Sequence, residues 1–344
     1  MSAQMPLRVC VVGCGDMGAK HAARWANVPG AKVVAVADIR PERAQALTAA
    51  HGLDRSYTDF RPAIRESDCN VVSVCVPTSR HAEVSCFAAE QGKHVLCEKP
   101  LALTLAQADA MIETAKRSGV KLGVGFMRQY SPITATLRDW LSAGRLGRPA
   151  FYHAADVREI RPKREMHDAQ INGGPVLDMG VHLFDIWRTI FASEPVSVSA
   201  QGMKLGKARP ELAHIADIAY DTAAVSVHFQ SGDVGVFVVC WGLPPGATPP
   251  GSADRIFGPK GLLEISYGIQ QQTLRFLREG GAWETIAEAH VDMYQAEIDH
   301  FARCVRDDLD PLAGGNAGKH ALQIALAALQ AIATPPDPSP ELSI

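Results

Sequence analysis

Short apolar runs alternate with helix-patterned stretches through the first third of the chain. Leu7–Val12 is an apolar run followed by a glycine turn and a helical stretch from about Asp16 to Asn27. Lys32–Ala37 is the second run, and Pro41–His51 reads as a helix opened by proline and closed by Gly52. Val71–Val76 is almost continuously apolar, as a strand buried on both faces requires. A helix over Ser79–Gln91 stops at Gly92 and is followed by the strand Val95–Cys97. Thr104 and Gln107 form a capping box for another long helix, and Leu122–Phe126 is the last strand of the set. Strand–helix alternation at this spacing predicts a parallel sheet with helices on both faces, here assigned to residues 1–126.

From Ser131–Pro132 the pattern changes. A helix to about Ala143 leads into turn-rich residues, then a strand Phe151–Val157, a loop, and one helix over Pro175–Phe191. Period-two strands dominate afterwards. Val225, Val227 and Phe229 point one way and Ser226, His228 and Gln230 the other, before Ser231-Gly232-Asp233 turns the chain into Val234–Trp241. Further strands are expected at Arg255–Phe257, Leu262–Tyr267 and Leu274–Leu277, with closing helices over Tyr294–Val305 and Ala317–Ala333 and a proline-rich tail, Pro335–Pro340. The fold class is therefore α/β: an N-terminal Rossmann domain, and an α+β domain over 127–344 with a large, mostly antiparallel sheet.

Composition adds mainly exclusions. A length of 344 residues suits two domains at ~100–200 residues each. The net charge of −3, with both signs mixed, argues against a nucleic-acid or membrane-surface partner. No apolar run approaches the ~18 residues of a transmembrane helix, and Met1–Leu7 lacks the pattern of a secretory leader. The cysteines form no C-x-x-C pair, so they are expected as free thiols in a reducing, cytoplasmic setting, with no metal site.

Candidate chemistry begins at Gly13-Cys14-Gly15-Asp16-Met17-Gly18, a G-x-G-x-x-G directly after a strand and opening a helix. The first glycine permits the tight turn, the second lets a pyrophosphate approach the backbone, and the third lets helix and strand pack closely. Asp38 ends the second strand, placed to accept hydrogen bonds from the adenosine ribose and to repel a 2′-phosphate. That favours NAD; Arg40, two residues on, softens the preference and leaves NADP open.

Glu98-Lys99-Pro100 after the strand Val95–Cys97, and Gly173-Gly174-Pro175-Val176-Leu177-Asp178-Met179-Gly180-Val181-His182 in the second domain, join that fingerprint. So do Val76-Pro77-Thr78 with His81, and Phe126-Met127-Arg128-Gln129-Tyr130-Ser131-Pro132. Together they resemble the Gfo/Idh/MocA oxidoreductases, relatives of glucose–fructose oxidoreductase and inositol dehydrogenase. The resemblance implies an active site between the domains, and a sheet face that serves as an oligomer interface. It also implies oxidation of a secondary alcohol of a sugar, inositol or related polyol, or the reverse reduction. Lys99, Asp178 and His182 take the catalytic positions it implies; Pro77, Thr78, His81, Glu98 and Arg128 fall near the cofactor, and Tyr130 near the substrate.

The chemistry of these side chains agrees with that assignment. Alcohol oxidation needs a hydride acceptor, a base for the hydroxyl proton and a positive field on the developing alkoxide. Asp178 and His182, at i and i+4 of one expected helix, share a face. Histidine exchanges protons near neutrality, and is read as the base, with Asp178 orienting it or holding the substrate hydroxyl. Lys99, at a carboxyl strand end, can hydrogen-bond that hydroxyl or itself serve as base. Arg158, Arg161, Lys163 and Arg164 cluster before the Asp178–His182 segment. They read either as a solvated face or as a site for a substrate carboxylate or phosphate. A homodimer or tetramer is expected, through the apolar face of 225–241. The sequence is also compatible with a glycosidase that uses NAD transiently, or with a dinucleotide-binding sensor without turnover. Intact Lys99, Asp178 and His182 weigh against the sensor.

Overall fold

The computed structural model describes residues 5–251 and 253–334; the proline-rich tail and Met1–Gln4 lie outside them. The chain forms two compact units. One comprises residues 1–131 and 291–319, the other 132–290 and 320–344.

In the first unit a parallel sheet has the order β2 (Ala31–Ala37), β1 (Leu7–Val12), β3 (Val71–Val74), β4 (His94–Cys97) and β5 (Leu122–Val124). Helices α1 (Asp16–Asn27), α2 (Pro41–Ala50), α4 (His81–Glu90) and α5 (Leu105–Arg117) follow the expected alternation. The Thr104–Gln107 capping box is formed in both directions. A short helix, α3 (Phe60–Glu66), was not anticipated. Asp59 caps it by accepting from the Arg61 N–H, and Pro62 inside seven residues hides its periodicity.

The single boundary expected at 126/127 meets a chain that returns. Helix α9 (Met293–Arg306) presents Ile298, Phe301, Ala302 and Val305 to the core of the first unit, with Trp25, Val9, Val33 and Leu96. Phe301 stands edge-on to Trp25, centroids 6.5 Å apart, and a side chain on Gly123 would strike its ring.

The second unit is built on an eight-stranded sheet ordered β13-β12-β11-β10-β6-β9-β8-β7. Its strands are β6 (Phe151–Glu159), β7 (Pro195–Met203), β8 (Thr222–Phe229), β9 (Val234–Leu243), β10 (Asp254–Gly258), β11 (Gly261–Tyr267), β12 (Gln272–Leu277) and β13 (Trp283–Ala289). β6 and β9 pair in parallel, and every other neighbour is antiparallel. Helices α6 (Pro132–Ser142) and α8 (Gly180–Phe191) belong to this unit, as does α10 (Gly315–Ala333) from His320 onward. Trp187 of α8 is fully buried against Gly235 of β9, where any side chain would run into the indole.

Two expectations need correction here. The helix over Pro175–Phe191 is two helices, α7 (Pro175–Asp178) and α8, interrupted at Met179, where the His182 N–H reaches back only three residues to the Met179 carbonyl. Within 225–241, the apolar positions of β8 also do not face outward. Val225, Val227 and Phe229 are buried, and Phe229 packs on Phe191 at 5.1 Å. The outward face of β9 is instead Val234, Val236 and Val238, with Phe151 and Phe257 exposed on neighbouring strands.

Candidate active site

The glycine turn is shaped by contacts that exclude side chains. Gly13 has φ +93°, where a Cβ would press on the Cys75 carbonyl, and one on Gly18 would collide with the Gly13 carbonyl oxygen. Gly15 is the N-cap of α1, and Asp16 and Met17 start the helix. Around Gly15 the nearest group is the Arg43 guanidinium, 3.6 Å from where a Cβ would stand. Backbone donors and the helix N-terminus thus face open space suited to an anion. Arg43 was missed in the sequence, although it lies one turn into the helix after Asp38. Asp38 is fixed beside the turn: Oδ2 accepts from the Cys14 N–H at 2.7 Å and Oδ1 from the Arg40 N–H at 2.8 Å. Both oxygens retain lone pairs for ribose hydroxyls. This cradle and its carboxylate fit NAD.

The ends of β3, β4 and β5 in the same unit carry the other residues. Pro77 precedes a single 3-10 turn, Thr78–Arg80, and Thr78 is buried. His81 opens α4 with Nδ1 2.8 Å from the Pro100 carbonyl and Nε2 2.9 Å from that of Val76. It therefore ties the loop after β3 to the loop after β4. Burial, outweighing those bonds, lowers its pKa, so the neutral ring donates to one carbonyl at a time. Lys99 is half-buried at the end of β4, joined to Pro100 by a cis bond. Glu98 points into the interior: Oε1 meets His21 Nε2 at 3.0 Å, and Oε2 accepts from the Lys99 N–H at 3.2 Å. Burial pushes this carboxyl up, but the hydrogen bond and electrostatic attraction of His21, with help from Lys99, more than offset it and hold the pKa below its ordinary value. Arg128 and Tyr130 lie on the turn Met127–Tyr130, where the Tyr130 ring tilts over His300 at 5.1 Å.

In the second unit, Gly173 and Gly174 both have φ +76°, and a side chain on Gly174 would collide with Ala219. Pro175 then starts α7, which ends at Asp178; His182 lies buried in the first turn of α8. Asp185, three residues further along the same helix, is equally buried and escaped the sequence reading, although its i, i+3 spacing from His182 was visible.

The basic cluster is sorted by geometry. Arg158 Nε is 2.6 Å from Asp156 Oδ1, and Trp241 Nε1 donates to Asp156 Oδ2 at 2.7 Å. Arg161 lies over the Trp241 ring, 5.2 Å from its centroid. Burial and the like charge of Arg158 lower the Arg161 pKa, while Asp178 and Asp156 pull the other way. His167 is fully buried and its Nε2 accepts the Arg161 N–H at 2.9 Å. Burial first, then Arg164 and Arg161, bring its pKa down to about 4.

Two family models match in tandem. The oxidoreductase family, NAD-binding Rossmann fold, covers residues 7–126, and the GFO/IDH/MocA C-terminal domain covers 134–264. The chain belongs to the Gfo/Idh/MocA oxidoreductase family. It is an NAD-dependent dehydrogenase or reductase of that family, on a Rossmann domain followed by the large-sheet domain. It is 30% identical to the myo-inositol 2-dehydrogenase of Thermotoga maritima, over 95% of this chain and 96% of the relative. It is 29% identical to the scyllo-inositol 2-dehydrogenase (NAD(+)) of Bacillus subtilis, over 94% and 93%. Among solved structures, an aldose–aldose oxidoreductase from Caulobacter crescentus complexed with glycerol superposes with TM-score 0.83, at 25% identity, over 95% of this chain and 98% of that one. Levoglucosan dehydrogenase in complex with NADH and levoglucosan shares the fold, at TM-score 0.84 and 22% identity, over 96% and 98%. Among the described residues no cluster of metal-ligating side chains occurs, and no helix is long and apolar enough to cross a membrane.

Proposed function

We propose that this oxidoreductase acts on a secondary hydroxyl of a cyclic sugar, inositol or sugar derivative, or reduces the matching ketone. The observation that carries the reading is the Glu98-Lys99-Pro100 corner, which sets an ammonium at the carboxyl end of β4 in the unit that holds the dinucleotide cradle. Full-length likeness to two inositol 2-dehydrogenases supports the substrate class.

NAD, held at the glycine turn with its ribose on Asp38 and its pyrophosphate toward Arg43, supplies the acceptor for the hydride leaving the carbinol carbon. Pro77, Thr78, His81, Glu98 and Arg128 line or brace its nicotinamide side. His182 takes the hydroxyl proton, Asp178 orients that hydroxyl, and Lys99 stabilises the oxygen as negative charge builds on it. With Arg158 paired to Asp156, Arg161, half-buried over Trp241, meets an acidic group on the substrate. Tyr130 adds apolar surface for the ring. Two copies associate through the outward face of the large sheet, along Phe151, Val234, Val236, Val238 and Phe257.

The test is reduction of NAD and NADP by purified protein against inositols, aldoses, sugar acids and glycosides, with Lys99→Ala in parallel. Turnover on one class, lost in the variant, is the expected result. Full activity in Lys99→Ala would overturn the assignment. Release of free sugar without net NADH would replace it with transient-redox glycoside cleavage, and NAD binding without turnover on any compound with a sensor.

A further inference from the structure

A line of buried polar side chains runs beneath Lys99, contributed by elements far apart in sequence. Trp25 of α1 places Nε1 3.2 Å from Ser73 Oγ on β3. Ser73 Oγ is 2.7 Å from His21 Nδ1, and His21 Nε2 is 3.0 Å from Glu98 Oε1. Glu98 Oε2 then accepts the Lys99 N–H. Trp25, Ser73 and His21 are fully buried, and Glu98 is 6% exposed.

Direction along this line follows from what each group can do. An indole N–H only donates, so Ser73 accepts from Trp25. The Ser73 hydroxyl hydrogen is free to turn to His21 Nδ1, 2.7 Å away, and this direction leaves no lone pair of Nδ1 unanswered in the interior. An imidazole that accepts at Nδ1 carries its proton on Nε2, and Nε2–H points at Glu98. We infer that this chain runs one way, from Trp25 through Ser73 and His21 to Glu98, and that it makes His21 and Glu98 positioning residues for Lys99. In this arrangement Nε2–H of His21 meets Glu98 Oε1 from below while the Lys99 N–H meets Oε2 from the chain itself.

The groups facing Glu98 agree with a single negative charge at this spot. Lys99 follows it in the chain, and His81, Cys75 and Cys97 face it from neighbouring strand ends and α4. Tyr294 and Glu297 face it from α9. Burial, reinforced by the Glu98 charge, drives the Glu297 carboxyl well above its ordinary pKa, and pushes the Cys75 and Cys97 thiols and the Tyr294 phenol up as well. Each of these four is shifted toward its protonated form, and Glu98, shifted the other way, is the group of the cluster that favours its charge. The link from this charge to catalysis rests on the role proposed above for Lys99.

Long-range proton–nitrogen NMR of histidine-labelled protein, without cofactor or substrate, tests the direction. His21 is expected as the neutral Nε2–H tautomer at pH 7. Glu98→Gln, whose amide can keep only one of the two acceptor positions, is expected to shift the His21 ring nitrogens and the Trp25 indole N–H resonance. It should also lower kcat at least tenfold. An imidazolium or an Nδ1–H tautomer in the unaltered protein would overturn the inference without need of any variant. So would an unchanged kcat in a folded Glu98→Gln. If Lys99→Ala retained turnover while the Nε2–H tautomer was observed, the proposed reaction would fall and the directed chain would stand.

Discussion

The corner around Glu98 and the loop before Asp178 both hold charge away from water, and they do so differently. Around Glu98 the partners come from α1, β3 and β4, with α9 facing it, and the buried chain ends on one carboxylate. Before Asp178, Arg158 pairs with Asp156 and the Arg161 N–H with His167 within a dozen residues, with Trp241 the main contribution from elsewhere. The first arrangement depends on the whole unit being folded, and suits a residue that must not move. The second is local, with Arg161 resting on an aromatic face, and suits a group that meets ligands of varied shape.

The largest effect expected is on the reaction itself. Lys99→Ala should reduce kcat by about 10³-fold or more if Lys99 stabilises the reacting oxygen, while His182→Ala and Asp178→Asn should lose roughly 10²–10⁴-fold. Steady-state kinetics with the substrate identified in the panel decides this. A loss confined to KM in any of the three would move that residue from chemistry to binding.

Cofactor choice comes next in size. Asp38→Ala removes the carboxylate that Cys14 and Arg40 hold in place. Preference for NAD over NADP, measured as the ratio of kcat/KM values, should fall by about one to two orders of magnitude, on the scale of ~1.4 kcal/mol per decade. An unchanged ratio would show that Asp38 does not meet the ribose.

What could be read beforehand differs between the same two regions. The cradle was legible because each glycine answers a local steric demand that leaves a spacing in the sequence. The roles proposed for Lys99 and the Asp178/His182 pair rest on motif resemblance, and the interruption at Met179 shows that one continuous helix does not follow from spacing. An i, i+4 pair presumes a helix that the Asp178–Gly180 step does not continue. His21, Ser73 and Glu297 carry no signal of their own. Each looks like an ordinary residue of an amphipathic helix or a buried strand until sheet order and α9 bring them to Glu98. His167 likewise acquires its partner, the Arg161 N–H, from a loop shape no periodicity encodes. The outward face of the large sheet was misassigned for a related reason. Alternation along β8 gives two faces, and which one is covered depends on α8.

Smaller effects on stability separate the two ways of burying charge. Glu297 is 1% exposed, and its folded pKa lies well above that of an unfolded glutamate. The unfolded carboxyl ionises near pH ~4.3 while the folded one keeps its proton, so folding is progressively disfavoured as pH rises through that window. Glu297→Gln removes the titration and preserves shape. It should match the unaltered protein in Tm near pH 4 and exceed it at pH 8. A variant that is less stable at pH 8 would mean that Glu297 is ionised and paired in the folded protein.

His167 gives the counterpart in the second unit, with the opposite pH dependence. Its folded pKa of about 4 lies below the ~6.5 of an unfolded histidine. Between those values the unfolded chain binds a proton that the folded chain refuses, so stability contributed by the neutral ring is present above pH ~6.5 and is lost as pH falls toward 4. His167→Gln keeps an acceptor for the Arg161 N–H and removes the titration. Its Tm should fall less steeply than that of the unaltered protein between pH 6.5 and 4, whatever its value at pH 8. Parallel curves for the two proteins would show that His167 takes up its proton without cost. The Arg161–Trp241 stack would then have to yield, and the loop before Asp178 would be less firmly held than its hydrogen bonds indicate.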